Sequence, residues 1–272
     1  MLVNGTPIEK HSLAQRVVWV KREDLSCPAP GPPFSKMRGV VEHVKARPEK
    51  VFGVLDTFHS KAGWAVAYAC KALGRKCVNY YPVYKSDVPG ALRNPQVQSK
   101  KLGARLEPLT AGRSAILYHR ARRMLSENHR NAYLMPNALK LPESITATAR
   151  EVVASRAQLL RIKPQHVVVS ISSATIAAGV LQGLQDLKLK PVVWLHEGYS
   201  RSESAVLRYL GERAEGFDIR IVDEKYAYKD TAPKEVQAPF PCNPWYDLKA
   251  WAWLEYALPE LPGPVLFWNV GC

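Results

Sequence analysis

The chain predicts an α/β protein built on open parallel or mixed sheets flanked by helices. Two features of the sequence carry that prediction. Strand-length apolar runs alternate with helix-length segments from residue 16 to residue 268, the pattern of parallel βα units. Runs such as His166–Ser170 and Pro191–His196 are apolar almost throughout, as in strands covered on both faces. A third observation bounds the size. With 272 residues, 47% of them hydrophobic, the chain can fill one large or two modest cores.

In order, Arg16–Lys21 is a strand by its β-branched content. A Pro/Gly-rich loop leads from it to a helix that starts near Lys36 and continues through Lys45. Val51–Leu55 is the next strand, followed by a helix to Ala72 and a strand at Cys77–Tyr81. Residues 95–103 read as a helix stopped by Gly103, with an edge strand at 104–107. A basic helix over 113–128 precedes a strand at 132–136. A long helix is expected across 143–161, then the strand at 166–170 and a helix from about Ile176. Strands at 191–196 and 219–222, helices at 202–211 and 244–258, and a last strand at 264–268 complete the chain. Residues 231–244 are proline-rich and read as a surface loop.

Composition narrows the function. No apolar run is long enough to cross a bilayer and no signal-peptide pattern appears. The five cysteines lack metal-type spacing, so reduced thiols, a cytoplasmic setting and no metal site are expected. A formal charge of +14 and a pI near 9.6 are unusual for an enzyme of small free metabolites. Lys and Arg cluster at 36–50, 71–76, 93–105 and 113–130. Such clusters can simply be solvated, or they can meet a polyanion, with DNA contact as one expectation.

Several stretches carry chemistry. Lys36 stands at a loop-to-helix junction, where the positive end of the helix dipole disfavours its charged form and favours a nucleophilic amine. A solvated surface lysine is the bland alternative. Ser170-Ile171-Ser172-Ser173-Ala174-Thr175 lies between a buried strand and a helix. Hydroxyls and amides at such a turn suit a phosphate, although an ordinary helix cap has the same composition. Ser60 and Lys61 precede the helix ending at Ala72, and Ser60 could equally be its cap. Asp247 follows Tyr246 in a first helical turn, which the helix dipole alone would favour.

Taken together, Lys21-Arg22-Glu23-Asp24-Leu25, Phe34-Ser35-Lys36-Met37-Arg38-Gly39, His59–Ala67, the Ser170–Thr175 loop, Asn243–Ala250 and Val265–Cys272 resemble, in order, the segments of fold-type-II pyridoxal-phosphate enzymes. The likeness is greatest to the aminocyclopropane-carboxylate deaminase and D-cysteine desulfhydrase branch. The resemblance implies a two-domain fold, with 1–45 and 151–272 forming the larger, cofactor-binding domain and 46–150 the smaller. It implies pyridoxal 5'-phosphate on Lys36 through a Schiff base, a phosphate cup at Ser172, Ser173, Ala174 and Thr175, and Asp247 beside the pyridine nitrogen. It also implies Lys61 near the ring hydroxyl, with Ser60 and Tyr246 facing an amino-acid substrate, and a homodimer. The chain departs from the pattern where Lys61 replaces an asparagine, where the cup lacks glycine, and where Asn269-Val270 replaces His-Thr. The reading is a lyase or deaminase-like enzyme acting at Cα of an amino acid, free or attached to a nucleic acid, as in hypermodified DNA. Loss of CO2 would use the same electron sink and stays open. A non-catalytic nucleic-acid-binding protein on the same fold is the rival reading.

Overall fold

A computed structural model describes residues 2–272. In chain order the elements are β1 (Ile8–Leu13), β2 (Arg16–Arg22), α1 (Met37–Ala46), β3 (Val51–Leu55), α2 (Ala62–Ala72), β4 (Lys76–Val83), α3 (Asn94–Lys101), β5 (Arg105–Thr110), α4 (Ser114–Asn128) and β6 (Ala132–Leu134). They continue with α5 (Pro142–Ala154), α6 (Arg156–Ile162), β7 (His166–Ile171), α7 (Thr175–Asp186), β8 (Val192–Glu197), α8 (Glu203–Leu210), β9 (Ile219–Val222), α9 (Asp247–Ala257) and β10 (Val265–Asn269). The chain forms two compact units. The first runs to Pro28, adds Pro33–Lys36 and resumes at Ser144–Cys272, and the second holds Ala29–Pro32 and Met37–Glu143.

The first unit is a six-stranded sheet in the order β1-β2-β10-β7-β8-β9. Only β1 runs antiparallel, against β2, while the other neighbours are parallel. Alternate residues of β7 and β10 enter opposite cores. Val167, Val169, Leu266 and Trp268 pack with α7 residues such as Ala178 and Leu181. Val168, Val265 and Phe267 pack with Trp251 and Leu254 of α9. Each fully buried aliphatic or aromatic side chain of this kind contributes about 1.5–3 kcal/mol of transfer free energy, so the central strands are fixed from both sides. Close approach of α5 and α7 depends on Gly179 and Gly183, where a Cβ would lie 2.5 Å from Thr148 Cβ and Val152 Cβ.

The second unit is a four-stranded parallel sheet in the order β5-β4-β3-β6. One face of it packs Leu55, Val78 and Tyr80 against Leu117, Ala121 and Leu125 of α4. The remaining face of α4 is therefore left to solvent.

Two elements differ from the sequence reading. β1 was not expected, because its sequence IEKHSL is largely polar and half-exposed. Its edge position needs only Ile8 and Leu13 to turn inward. The single long helix expected over 143–161 is two helices, parted at Ser155. Ser155 Oγ donates to the Glu151 carbonyl at 3.1 Å and accepts from Lys21 Nζ at 2.8 Å. A serine bonded back to the preceding turn in this way bends helices.

Lys21 explains much of the motif at 21–25. Its ammonium, fully buried, meets Glu151 Oε1 at 2.5 Å and the Thr6 carbonyl at 2.5 Å. Glu151 also accepts the Gly5 and Thr6 amides at 2.9 and 2.8 Å. Arg22 pairs with Asp24 and Glu9, and burial of Asp24 is offset by the Asn269 side chain at 2.9 Å. The stretch that resembles the entry of fold-type-II enzymes thus ties β1, β2, α5 and β10 of the first unit to one another. Removing one partner of a buried pair leaves an uncompensated charge. Lys21→Met is expected to cost roughly 3–5 kcal/mol in urea unfolding. A loss below about 1 kcal/mol would mean that the pair behaves like a solvated one.

Candidate active site

Lys36 sits where the chain passes from the first unit to α1. Its approach is tied to the end of β10: Ser35 N donates to the Val270 carbonyl at 2.9 Å, and Phe34 bridges Gly271. The side chain is buried, and Nζ donates to Ser173 Oγ at 2.9 Å. Ser173 Oγ in turn lies 2.9 Å from Thr175 Oγ1, and Thr175 Oγ1 lies 3.2 Å from the Tyr209 hydroxyl. The lysine expected at the heart of the site and the loop expected to bind phosphate are therefore in direct contact.

That loop forms because β7 ends at Ile171 and the chain must turn at once into α7. Ala174 takes up the turn in the left-handed region, at φ 59° and ψ 7°. As the residue flanking the helix it has no side chain to cap the first amides. The N-terminal turn of a twelve-residue helix is left with its dipole and amide donors beside the hydroxyls of Ser173 and Thr175. These donors are of the kind a phosphate monoester takes, and a left-handed alanine stands in the turn where the resemblance leads one to expect glycine.

Asp247 opens α9 and is buried. Its Oδ1 accepts from Ser170 Oγ at 2.9 Å and from the Val270 amide at 2.8 Å. Two donors from two different strand ends thus fix one carboxylate in orientation. Neither partner was singled out as a site residue. Ser170 could have been found as the one hydroxyl at the C-terminal end of an apolar strand. Val270 acts through its backbone, which leaves no trace in side-chain identity. Asn269 donates to both Asp24 and the Pro241 carbonyl, so it braces the region behind Asp247.

Tyr246 stands just before α9. Burial pushes its hydroxyl well above the usual tyrosine range, opposed in part by a hydrogen bond with Ser172. Tyr228 and Tyr199, whose rings meet edge to face at 4.9 Å, lie close to it, and Arg201 Nη1 donates to the Tyr199 hydroxyl at 2.8 Å. Below them Lys249 is buried and donates to the Gly198 carbonyl at 2.6 Å. Burial brings its ammonium down to about 8.

Ser60 and Lys61 belong to the second unit. Ser60 Oγ accepts the Ala62 amide at 3.0 Å at the start of α2, the geometry of a helix cap. It also bonds to Asp56, a fully buried carboxyl at the end of β3 that the sequence reading passed over. Asp56 accepts the Gly63 amide at 2.7 Å and Asn79 Nδ2 at 2.9 Å. A Cβ at Gly63 would lie 2.5 Å from Asp56 Oδ2, so glycine there is what lets α2 begin over the carboxyl.

A family model described as pyridoxal-phosphate dependent enzyme matches residues 1–234. The chain belongs to that family. A curated protein of Pseudomonas phage M6, named glycyl-dTMP PLP-dependent decarboxylase, is 52% identical over 285 residues, covering 100% of both chains. Among solved structures, an ACC deaminase homologue superposes with a TM-score of 0.79 at 20% identity, over 99% of this chain and 91% of that one. A fungal L-serine ammonia-lyase from Rhizomucor miehei gives 0.72 at 16% identity, over 98% and 93%. The fold is thus that of fold-type-II enzymes, as the motifs implied, and the enzyme's cofactor is pyridoxal phosphate. No described helix is long and apolar enough to cross a membrane.

Burial pushes the Asp56 carboxyl from the ordinary 3.8 up to about 6, against the pull of its hydrogen bonds from Gly63, Asn79 and Ser60. A carboxyl whose folded-state value is raised stabilises the fold most at low pH. That contribution is complete below the unfolded value and is lost as pH rises through about 6. Asp56→Asn, which stays neutral, is expected to gain in Tm relative to the parent as pH is raised from about 4 to about 7. A difference that does not change with pH would mean that Asp56 does not titrate in this window.

Proposed function

We propose that this enzyme is a decarboxylase acting on an amino-acid group carried by a thymine nucleotide, with Lys36 as its catalytic lysine. The observation that carries the proposal is Lys36 Nζ held 2.9 Å from Ser173 at the N-terminus of α7. It supports an amine poised beside a phosphate-binding turn, the arrangement this cofactor requires. The substrate class is supported by the full-length likeness to the phage glycyl-dTMP decarboxylase.

Pyridoxal phosphate, when bound, supplies an aldehyde for an amino group and a ring that withdraws electrons from Cα. Ser172, Ser173, Ala174 and Thr175 would receive its phosphate through hydroxyls and the amides of α7. Asp247, aimed by Ser170 and the Val270 amide, would hold a proton at the ring nitrogen. Lys61, at the start of α2, would serve the ring hydroxyl, and Ser60 would help to place the substrate. Tyr246, held neutral by burial, would offer a hydroxyl to the substrate side without carrying charge.

In the reaction the Cα–carboxylate bond breaks and CO2 leaves. The electron pair stays at Cα, and a proton replaces the lost group. Lys36 is the amine placed to deliver that proton, and its bond to Ser173 keeps Nζ directed inward. Deamination would instead break the bond between Cα and the amino nitrogen and release ammonia, so the products distinguish the two outcomes.

The test combines product analysis with the cofactor's visible absorbance. With glycyl-dTMP as substrate, the enzyme is expected to release CO2 and no ammonia. Lys36→Ala should abolish the borohydride-sensitive band and lower CO2 release by about 10²–10⁴-fold. Release of ammonia in place of CO2, or full turnover by Lys36→Ala, would overturn the proposal. Asp247→Asn should retain the band while CO2 release falls, because it removes charge from the ring nitrogen without disturbing the lysine.

A further inference from the structure

The positive charge of this protein is not spread over the chain. The second unit carries nineteen Lys and Arg against seven Asp and Glu, a net of +12, while the first carries nineteen against seventeen, a net of +2. Almost the whole excess therefore sits on the smaller unit.

Within that unit one cluster, six arginines against Glu107 and Glu127, lies on and beside α4. Leu117, Ala121 and Leu125 face the sheet, and at 100° per residue Arg120, Arg122 and Arg123 fan over the opposite side. All three are exposed, as are Arg113 before the helix and Arg130 after it. Arg105, on the edge strand β5, is exposed too and lines a shallow recess with Met124, Asn128 and His129. The acidic residues here are Glu107, paired with Arg105, and Glu127, which lies 3.7 Å from Arg123. Among the described residues, Arg113, Arg120, Arg122 and Arg130 have no carboxylate within ion-pair distance. Unneutralised like charges held together on a rigid helix cost stability unless a polyanion meets them.

We propose that the exposed face of α4, with Arg105, Arg113 and Arg130, binds the phosphate backbone of DNA. The substrate nucleotide would then be acted on within a polymer. This rests on the reading above for the choice of DNA, since that reading puts a deoxythymidylate at the active site. The chemistry of the face favours a nucleic acid over a membrane. Its one large exposed apolar residue is Ile116, whereas a surface-lying membrane helix needs a continuous apolar face to insert. All six basic groups of the face are arginine, the side chain that grips phosphate through two parallel hydrogen bonds. α4 is fifteen residues long, which at 1.5 Å per residue gives roughly 22 Å, or about six phosphates of one strand at 3.4 Å each.

The experiment measures binding of an unmodified duplex of random sequence, about 30 base pairs long, to the holoenzyme by fluorescence anisotropy across a salt series. Four to six phosphate contacts predict a slope of log K against log salt of roughly −4 to −5. The triple variant Arg120→Ala/Arg122→Ala/Arg123→Ala should weaken binding by at least about 30-fold near 0.1 M salt and make the slope shallower by roughly 3. Arg120→Lys/Arg122→Lys/Arg123→Lys should keep most of the slope. Arg156→Ala/Arg161→Ala/Arg208→Ala, which removes the same charge from the first unit, should bind as the parent does. The proposal is overturned if the parent does not bind the duplex, or if the two alanine triples lose affinity equally. It is overturned as well if the α4 triple binds DNA unchanged but loses phosphatidylserine vesicles. CO2 release from free glycyl-dTMP, measured alongside, should be the same in parent and α4 triple. Absence of that activity in the parent would sink the decarboxylase reading while leaving the DNA-binding result to stand or fall on its own slope.

Discussion

The Asp247 carboxylate ties together the part of the first unit where chemistry is possible. One oxygen accepts from Ser170 at the end of β7 and from the amide of Val270 just past β10. Asp247 itself starts α9, whose Trp251 and Leu254 are packed beneath the same two strands. Displacing the carboxylate would therefore disturb two strand ends and one helix at once. Burying a charge is expensive unless donors surround it, and here the donors come from elements that the hydrophobic cores have already fixed. The carboxylate is held by the fold and needs no ligand to find its orientation.

The same economy of parts appears at α7. The β7–α7 turn needs a left-handed residue, and Ala174 fills that role where glycine would be more usual. The strain is modest and is offset by the packing of α7, whose Gly179 and Gly183 let it settle close to α5. The helix start is thereby held open beside Ser173 and Thr175. The second unit achieves something similar with Asp56, whose buried carboxyl receives a first-turn amide of α2 and the side-chain amide of Asn79.

Much of this was legible in the sequence. Continuous apolar runs named the central strands to within a residue or two, because burial on both faces leaves a signal that needs no partner to read. Lys36, the serine-rich turn and Asp247 were named because the segments around them resemble those of fold-type-II enzymes, although serine caps and first-turn aspartates are common by themselves. β1 escaped because an edge strand needs few apolar residues. The break at Ser155 escaped because the bond from its hydroxyl to the Glu151 carbonyl belongs to a network completed by Lys21, more than a hundred residues away in the chain. Ser170 and Val270 were missed as partners of Asp247 for the same reason. The motif at 21–25 resembles a functional segment, whereas in the structure Lys21, Arg22 and Asp24 meet Glu151, Glu9 and Asn269.

By itself, then, the sequence determined the α/β class, the order of its elements, the cofactor family and the basic character of the chain. The class, the element order and the charge follow from periodicity and composition, which are written in neighbouring positions, and the cofactor family follows from the resemblance of motifs to fold-type-II enzymes. Only the tertiary structure decided which donors hold Asp247, that Lys36 meets Ser173, and that the buried Lys21–Glu151 pair is structural. It also decided that most of the excess positive charge falls on one unit, and that Arg120, Arg122 and Arg123 lie on the side of α4 away from the sheet. Those outcomes depend on which distant segments meet and which helix face the core takes, and that is set by packing the whole chain at once.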